Sequence, residues 1–565
     1  MHDLVIRNGT IIDGSGTDRF KGDIAIDNDR IVAVGNVKEQ GKQEIDANGM
    51  LVTPGWVDVH THYDGQATWD PIMGPSSWHG VTTVVMGNCG VGFAPVRPGG
   101  EKFLIELMEG VEDIPGAALS EGIQWNWETF PEYLDALETL PRTVDVGTQV
   151  PHGAVRAYVM GDRCSGDNEP TGAELEQMVA LVRDGVAAGA LGFSSSRTLL
   201  HRDVHGEYVP GTFAGSHEML QLGLAMKGMD HGIFEMVSDN LGDDDEWQWV
   251  KDFAAETGRP VTLIATTPAA YVDNKMYRMV EEARQSNMNI MPQMAGRPTG
   301  ILHGLQSSFH AFVRHSVWRE QLADLPLEEQ VVAMQTPEIR EQLLGIDEGE
   351  AAAGVMGNLE QIMALVFPLG DTPNYEPTFE DSVAGIAKAR GQSALEVMYD
   401  LLIAEDGKEL FYQPLGAYSS YNLDAQHRMM QHPNVLMGLS DGGAHCGVIA
   451  DAGMPTFNMI HWGRDRKRGD KLPLEFIVRS MTRRTAEAYG MMDRGLLAEG
   501  MLADLNVINF DELRLERPEA IFDLPTGGRR LVQKVSGYRY TVKSGKTTFE
   551  DGVPTGQRPG GLVRG

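Results

Sequence analysis

Two histidines stand one residue apart in the stretch TPGWVDVHTHYDG, residues 53–65, directly after an apolar run. Residues i and i+2 of a strand point to the same face, so the imidazoles of His60 and His62 can converge on one point. Two imidazoles at a buried strand end require a proton, an anion or a metal ion as their partner. The spacing therefore indicates a ligand site, and a pair of polar turn residues is the alternative.

Further candidate ligands follow other short apolar segments: Cys89 in VMGNCGVG, Glu235 in FEMVSD and Asp441 in LSDGGAH. Histidine, cysteine and carboxylate ligands together suit a divalent metal, with zinc as the first choice. Asp441 is also placed to accept a proton from a water molecule. Each residue has an alternative: Cys89 as a small buried side chain, and Asp441 as a cap of the following turn. For Glu235 the alternative is an ion pair with Arg197 or Arg297.

Other polar residues near the ends of predicted strands are candidates for binding the substrate or for orienting the ligands. For His152 and His445, a place in an ordinary turn is the alternative. The candidates are His152 in VPHGAVR, Arg197 and His201 in GFSSSRTLLHR, Arg297 in MAGRPTG, and His445 in LSDGGAH.

The middle of the chain alternates short apolar runs with amphipathic segments such as GAELEQMVALVRDGVAAG. This alternation is typical of parallel strands that are joined by helices. Eight such units predict a closed, TIM-like (β/α)8 barrel of the α/β class, whose chemistry lies at the C-terminal ends of the strands. The candidate strands are 52–60, 81–89, 144–150, 190–195, 233–238, 261–266, 289–294 and 435–440.

Both ends of the chain contain short alternating runs with Asn-Gly and Asp-Gly turns, which predict one small sheet from residues 1–51 and 496–565, followed by a tail. The barrel then spans residues 52–495. The interval of about 296–433 is too long for a loop, so we predict a helical insertion after strand seven that covers the chemical face. Phe309 or Phe312 of this insertion is expected to shape the substrate pocket.

The composition excludes several classes of partner. The 565 residues are 42% hydrophobic and 22% charged, and the formal net charge of −33 disfavours nucleic acid and anionic membranes. Three cysteines are too few for a disulfide framework. We expect no signal sequence, because MHDLVIRNGT has neither a basic region nor a long apolar run, and no apolar run of the sequence is long enough to span a bilayer. We expect a cytoplasmic protein with a small-molecule substrate, and assembly into a homo-oligomer stays open.

The order of several motifs resembles the amidohydrolase superfamily: TPGWVDVHTHYD, ALGFSSSR, LSDGGAH and GLLAEGMLADLNVINF. More narrowly, GVTTVVMGNCGVGFAPV and HGAVRAYVMG resemble the D-aminoacylase (N-acyl-D-amino-acid deacylase) branch. The resemblance implies a metal-dependent (β/α)8 barrel, a β-sandwich built from both termini, and hydrolysis of amide or related C–N bonds.

The same resemblance implies roles for individual residues. His60, His62 and Asp441 match the ligands of one metal position, and Asp441 also matches the general base. Cys89 matches the cysteine that takes the place of the metal-bridging lysine of many other amidohydrolases.

This chain departs from the branch at the second metal position. Where the branch ends strand five in a ligand histidine, this chain has Glu235. Where strand six brings the next histidine and then a lysine, it has Ala265, Thr266 and Thr267. We therefore expect one divalent metal per chain, with zinc as the first choice and with Cys89 and Glu235 as further ligands.

The expected function is metal-dependent hydrolysis of an amide or related C–N bond, in an N-acyl (D-)amino acid or a similar small molecule. One alternative is a lactonase or a metal-dependent decarboxylase, because this barrel supports several reactions. Another is a non-catalytic scaffold that keeps the fold. Packing alone, however, does not require that His60, His62, Cys89 and Asp441 occur together.

Overall fold

The computed structural model describes residues 1–265, 275–345, 359–416 and 418–565. In chain order the strands are β1 (His2–Ile11), β2 (Phe20–Asp27), β3 (Arg30–Gly35), β4 (Gly41–Asp46), β5 (Leu51–Pro54), β6 (Trp56–Asp58), β7 (His60–Thr61), β8 (Val81–Met86), β9 (Asp145–Thr148), β10 (Val150–Pro151), β11 (Gly192–Arg197), β12 (Ile233–Ser238), β13 (Val261–Ile264), β14 (Ile290–Gln293), β15 (Gly300–His303), β16 (Phe367–Pro368), β17 (Phe411–Pro414), β18 (Leu439–Gly442), β19 (Leu505–Ile508), β20 (Arg514–Leu524), β21 (Gly528–Ser536), β22 (Tyr538–Lys543), β23 (Lys546–Glu550) and β24 (Val553–Pro554).

The α-helices are α1 (Glu101–Glu112), α2 (Gly116–Gly122), α3 (Phe130–Glu138), α4 (His152–Met160), α5 (Gly172–Ala187), α6 (Ser216–Leu224), α7 (Asp244–Thr257), α8 (Lys275–Gln285), α9 (Leu327–Met334), α10 (Pro337–Leu343), α11 (Leu359–Met363), α12 (Val383–Arg390), α13 (Ala394–Leu402), α14 (Asp424–Met430), α15 (Met454–Phe457), α16 (Leu474–Met481) and α17 (Arg483–Ala488). Within the described ranges, every helix is too short or too polar to serve as a membrane span.

Parallel strands run through the middle of the chain. β6 pairs with β8 and β8 with β9, while β10 to β14 form a five-stranded sheet in sequence order. The Leu191 amide donates to the Thr148 carbonyl over 2.8 Å, which connects β9 with the segment before β11. A parallel bridge joins Gln293 to Leu436, and β18 pairs in parallel with β7. Each strand region predicted from the sequence contains or overlaps one of these strands, so their C-terminal ends lie along a shared edge.

Strands from both ends of the chain pair in one nine-stranded sheet of order β24-β23-β22-β19-β5-β1-β2-β3, with β4 beside β1. β19 runs antiparallel to β5, which is the junction between the N-terminal and C-terminal strands. β20 and β21 form a separate antiparallel hairpin. The final residues also add to the parallel strands, because Val146 forms a parallel bridge with Leu562.

A buried charge cluster joins this terminal sheet to β9. The Lys543 ammonium lies 3.0 Å from an Asp145 carboxylate oxygen and 3.1 Å from Asp504. Arg494 contacts the same Asp145 oxygen at 2.7 Å. Removing one member of such a cluster leaves an uncompensated buried charge, which is strongly destabilising.

We therefore expect Lys543→Met to lower the thermal unfolding midpoint, with a loss of about 3–5 kcal/mol in stability. The matched control is Lys534→Met, because Lys534 pairs with Glu519 at 2.6 Å while its side chain remains 55% exposed. An exposed pair contributes at most about 1 kcal/mol. The two midpoints are measured by calorimetry under the same conditions, and equal shifts would contradict the role given to the buried cluster.

The insertion between β14 and β18 contains α9 to α14 and also a three-stranded antiparallel sheet of order β15-β17-β16, which the sequence did not predict. It has a hydrophobic core of its own. Phe312 is 2% exposed within that core, 5.5 Å from the Tyr399 ring. Phe312 is therefore a core residue of the insertion, whereas the sequence placed it at the substrate pocket. Phe309 packs against His303 at 4.9 Å.

Candidate metal centre

His60 is the first residue of β7, and a hydrogen bond from its Nδ1 fixes the orientation of its ring. Its Nδ1 lies 2.7 Å from Gln293 Oε1, while the Gln293 amide nitrogen donates to the Tyr489 hydroxyl over 2.9 Å. Because Gln293 Oε1 can only accept, Nδ1 of His60 carries the proton and Nε2 keeps a free lone pair. That Nε2 lies 3.5 Å from Cys89 Sγ and 3.5 Å from Asp441 Oδ1.

Cys89 is held in a tight glycine-rich loop after β8. It adopts a left-handed backbone conformation with φ of 53°, which costs energy in a residue with a side chain. Gly90 beside it has φ of 67°, and a Cβ there would lie 2.8 Å from the Ser196 amide nitrogen. The Cys89 amide donates to Glu235 Oε2 over 2.8 Å. These contacts from the neighbouring strands turn the sulfur towards His60.

Asp441, on β18, and His62, directly after β7, complete the group. The His62 amide donates to the Gly442 carbonyl over 2.8 Å, which fixes the register between β7 and β18. Asp441 also has a positive φ, 52°, and its Oδ1 lies 3.9 Å from His62 Nε2. Its carboxylate therefore faces both imidazoles, and its side chain is 14% exposed.

The electrostatics of this group fit a bound cation. Ligand atoms of His60, His62 and Cys89 all lie within 4.8 Å of one another. Burial lowers the pKa of His60 to about 4 and that of His62 well below its usual range, so both rings are neutral and able to ligate. Burial, with the nearby charges of Asp451 and Asp58, raises the pKa of Asp441 to about 8.

Burial, followed by the charge of Glu235, raises the pKa of the Cys89 thiol well above its usual range. No lysine or arginine of the described ranges is among the main influences on the pKa of Cys89, Asp441 or Glu235. The site gathers acidic groups and neutral imidazoles without a matching positive charge. A divalent metal supplies that charge, and two histidines, a cysteine and a carboxylate form a donor set that suits zinc.

Glu235 lies on the Nδ1 side of the His60 ring and is fully buried. Besides the bond from the Cys89 amide, its Oε1 is 3.9 Å from His60 Nδ1 and has no hydrogen-bond partner in the described part of the chain. Burial raises its pKa to about 8. Glu235 forms no ion pair with Arg197 or Arg297, which was the alternative left open by the sequence. Arg197 pairs with Glu246 at 2.8 Å, and Arg297 pairs with Asp451 at 2.7 Å.

The remaining histidine candidates divide between the centre and a separate network. His201 Nδ1 lies 3.0 Å from Ser196 Oγ at the end of β11. Burial, followed by His445 and His60, lowers the pKa of His201 to about 3. His445 is 27% exposed and its Nε2 lies 3.6 Å from Glu112 Oε2. His152 instead lies between Ser195 Oγ, at 2.9 Å, and Glu218, at 3.0 Å, where it is fully buried.

Residues 43–549 match the model of the amidohydrolase family. The chain belongs to this family. The N-acyl-D-aspartate deacylase of Alcaligenes xylosoxydans xylosoxydans is 32% identical over 564 residues, covering 99% of this chain and 95% of the relative. The D-aminoacylase of the same organism is 26% identical over 581 residues, covering 99% and 97%.

Two solved structures share the fold of this amidohydrolase. A D-aminoacylase matches with a TM-score of 0.65 at 22% identity, and both chains are covered completely (100%). An N-acyl-D-glutamate deacylase from Bordetella bronchiseptica, complexed with zinc and a phosphonate inhibitor, matches with a TM-score of 0.64 at 22% identity and covers 100% of both chains. The predicted D-aminoacylase-like branch is confirmed, and the chain is a metal-dependent hydrolase of C–N bonds other than peptide bonds.

Sequence reasoning missed two residues of this amidohydrolase that contact His60 and His62. Gln293 holds His60 from β14, and Glu112, the last residue of α1, lies 3.1 Å from His62 Nδ1. Neither belongs to a motif, and a glutamine or glutamate alone carries no spacing signal. On strand six, Ala265 is buried after the end of β13, whereas Thr266 and Thr267 lie outside the described residues.

Proposed function

We propose that this amidohydrolase cleaves the amide bond of an N-acyl-D-amino acid or of a similarly built small amide. The observation that carries the proposal is the convergence of Cys89 Sγ and Asp441 Oδ1 on the free Nε2 of His60, each at 3.5 Å. The names of the relatives that match nearly the whole chain, deacylases of N-acyl-D-aspartate and N-acyl-D-glutamate, support this substrate class.

The proposed ligands of the metal are His60, His62 and Asp441, with Cys89 and Glu235 as further ligands and zinc as the first choice. The metal, when bound, supplies Lewis acidity that polarises the scissile carbonyl and makes a water molecule easier to deprotonate. Asp441 accepts the proton of the attacking water and donates it to the leaving nitrogen.

Of the candidate substrate-binding residues, we place His201 and His445 beside the substrate. His445 remains partly exposed. His445 and His60 both contribute to lowering the pKa of His201, which supports a place for His201 near these two rings. The guanidinium groups of Arg197 and Arg297 already have buried carboxylate partners, so a substrate carboxylate would have to compete with these.

The architecture that we propose around this site is a closed (β/α)8 barrel at residues 52–495, with the insertion at about 296–433. The parallel pairs from β6 to β14 and the pairing of β18 with β7 support it. A small β-sandwich from residues 1–51 and 496–565 then accompanies the barrel, which the mixed nine-stranded sheet supports.

We predict close to one tightly bound divalent metal per chain. The strand-five position carries Glu235 and the strand-six position carries no histidine, so a second ion lacks the imidazole ligands that it needs. The measurement is elemental analysis of protein that is purified without added metal and then dialysed. Two equivalents retained through dialysis would contradict the one-metal proposal.

The proposed reaction is tested by incubating the zinc-loaded protein with panels of N-acyl-D-amino acids, their L enantiomers, lactones and aromatic carboxylates. We expect release of the free amine from an N-acyl-D-amino acid, loss of this activity with a chelator, and its return with added Zn²⁺. Lactone opening or decarboxylation without any amide hydrolysis would contradict the proposal.

A further inference from the structure

A buried carboxylate that belongs to no recognised motif lies beside His62 and His445 of the candidate metal centre. Glu112 ends α1 and is 1% exposed. Its Oε1 lies 3.1 Å from His62 Nδ1, and its Oε2 lies 3.6 Å from His445 Nε2. One side chain therefore reaches a proposed metal ligand and a histidine at the mouth of the site.

The His62 ring needs a partner of this kind. Its Nε2 faces Asp441 Oδ1 at 3.9 Å, which is the side of the proposed metal. When Nε2 binds a metal, the single ring proton of a neutral histidine sits on Nδ1. Within the described ranges, His62 Nδ1 and Glu112 Oε2 are both buried without a hydrogen-bond partner. The 3.1 Å separation of His62 Nδ1 and Glu112 Oε1 is short enough for a hydrogen bond, and what the contact lacks is alignment of the N–H group with the carboxylate oxygen.

The backbone of Glu112 also holds the loop that carries His445. The Cys446 amide donates to the Glu112 carbonyl over 3.2 Å, and the Leu531 amide donates to the Cys446 carbonyl over 2.7 Å. His445 itself has a positive φ of 47°, a conformation that persists only where surrounding contacts impose it. The end of α1 thus contacts the His62 ring through the Glu112 carboxylate and holds the loop that carries His445 through the Glu112 carbonyl.

We propose that Glu112 is a positioning residue of the metal centre, whose carboxylate accepts a hydrogen bond from His62 Nδ1 and faces His445 Nε2 at 3.6 Å. It holds the His62 ring so that Nε2 presents its lone pair to the metal. This inference rests on the metal site proposed above. Carboxylate partners of ligand histidines typically change metal affinity by about 10- to 100-fold.

The test is Zn²⁺ affinity, measured without any substrate. Chelator-stripped full-length protein is titrated with Zn²⁺ in competition with a chromophoric chelator. Glu112→Gln keeps the shape but turns an amide NH₂ towards His62 Nδ1 or His445 Nε2. We expect its Kd for Zn²⁺ to rise by about 10- to 100-fold. Glu112→Asp keeps the charge with a shorter reach, and we expect an intermediate Kd.

The matched control is Asp113→Asn. Asp113 is the next residue and also a largely buried carboxylate, but its side chain interacts with Ser308 and the Gly447 amide instead of an imidazole. The Zn²⁺ affinity of this control should equal that of the parent. The metal-free forms of Glu112→Gln and Asp113→Asn should unfold at similar temperatures.

The outcomes separate the two proposals. A Glu112→Gln protein that binds Zn²⁺ within about twofold of the parent would overturn the positioning role and leave the metal site intact, because the expected loss is about 10-fold or more. Equal losses of affinity in Glu112→Gln and Asp113→Asn would overturn it as well, because the effect would then follow general damage to this end of α1. A parent protein that binds no Zn²⁺ would overturn the proposed function itself.

Discussion

Asp441→Asn is expected to lower turnover by about 10²- to 10⁴-fold while most of the metal stays bound. Asparagine keeps the shape of the side chain and a weak oxygen ligand, but it cannot accept a proton. In this variant we expect His60 and His62, on and directly after β7, to keep binding the ion. The measurements are turnover of the substrate identified by the panel and zinc content by elemental analysis of the same preparation.

Near-normal turnover in Asp441→Asn would contradict the role of Asp441 as general base. The base would then be sought among Glu235 and His445, which contact or face the same group of ligands. His152 is a weaker candidate, because both of its ring nitrogens are occupied by Ser195 and Glu218 in a buried network.

His60→Ala is expected to lose the metal and the activity together. Its Nε2 is the atom on which Cys89 and Asp441 converge, and its ring is held by Gln293 at 2.7 Å. Alanine removes a neutral nitrogen ligand that no neighbouring side chain replaces. Zinc content should fall far below one equivalent, and amine release should fall to the background of chelator-treated protein.

The matched control for His60→Ala is His303→Ala. His303 is also a buried histidine with a glutamine partner, Gln413 at 2.6 Å, but it lies in the insertion on β15. This variant should be less stable yet retain zinc at the parent level. Zinc at the parent level in His60→Ala would show that the ion is bound elsewhere.

The convergence of His60, His62 and Asp441 could be predicted from the sequence because its signal is local. A buried strand followed by His60 and His62 puts two imidazoles on one face, and the apolar run before Asp441 marks a second strand. Parallel strands bring their C-terminal ends to one edge, so residues 60 and 441 meet although they are far apart in sequence. The observed contact of 3.5 Å follows from that geometry.

The side chains that contact His60 and His62 from other elements could not be predicted in the same way. Gln293 is 233 positions from His60, and Glu112 lies on a helix rather than at a strand end. Only the packing of distant elements brings them to the imidazoles. The same holds for Arg197 and Arg297, whose carboxylate partners Glu246 and Asp451 stand in no fixed spacing to them.

The small sheet of the insertion escaped prediction for a different reason. β16 has two residues and β15 and β17 have four, so none is long enough to show alternation of apolar and polar residues. Their pairing depends on contacts across more than a hundred positions, such as Leu302 with Tyr412. The prediction of a helical insertion rested on the length of the interval alone.

The central claim is that one metal binds where β7, the loop after β8 and β18 meet. Anomalous X-ray diffraction at the zinc absorption edge tests this claim most directly. For crystals of the zinc-loaded protein, we expect one strong anomalous peak per chain among His60 Nε2, His62 Nε2, Cys89 Sγ and an Asp441 oxygen. A chain without a peak at this position, or with a second peak of equal strength, would contradict the account.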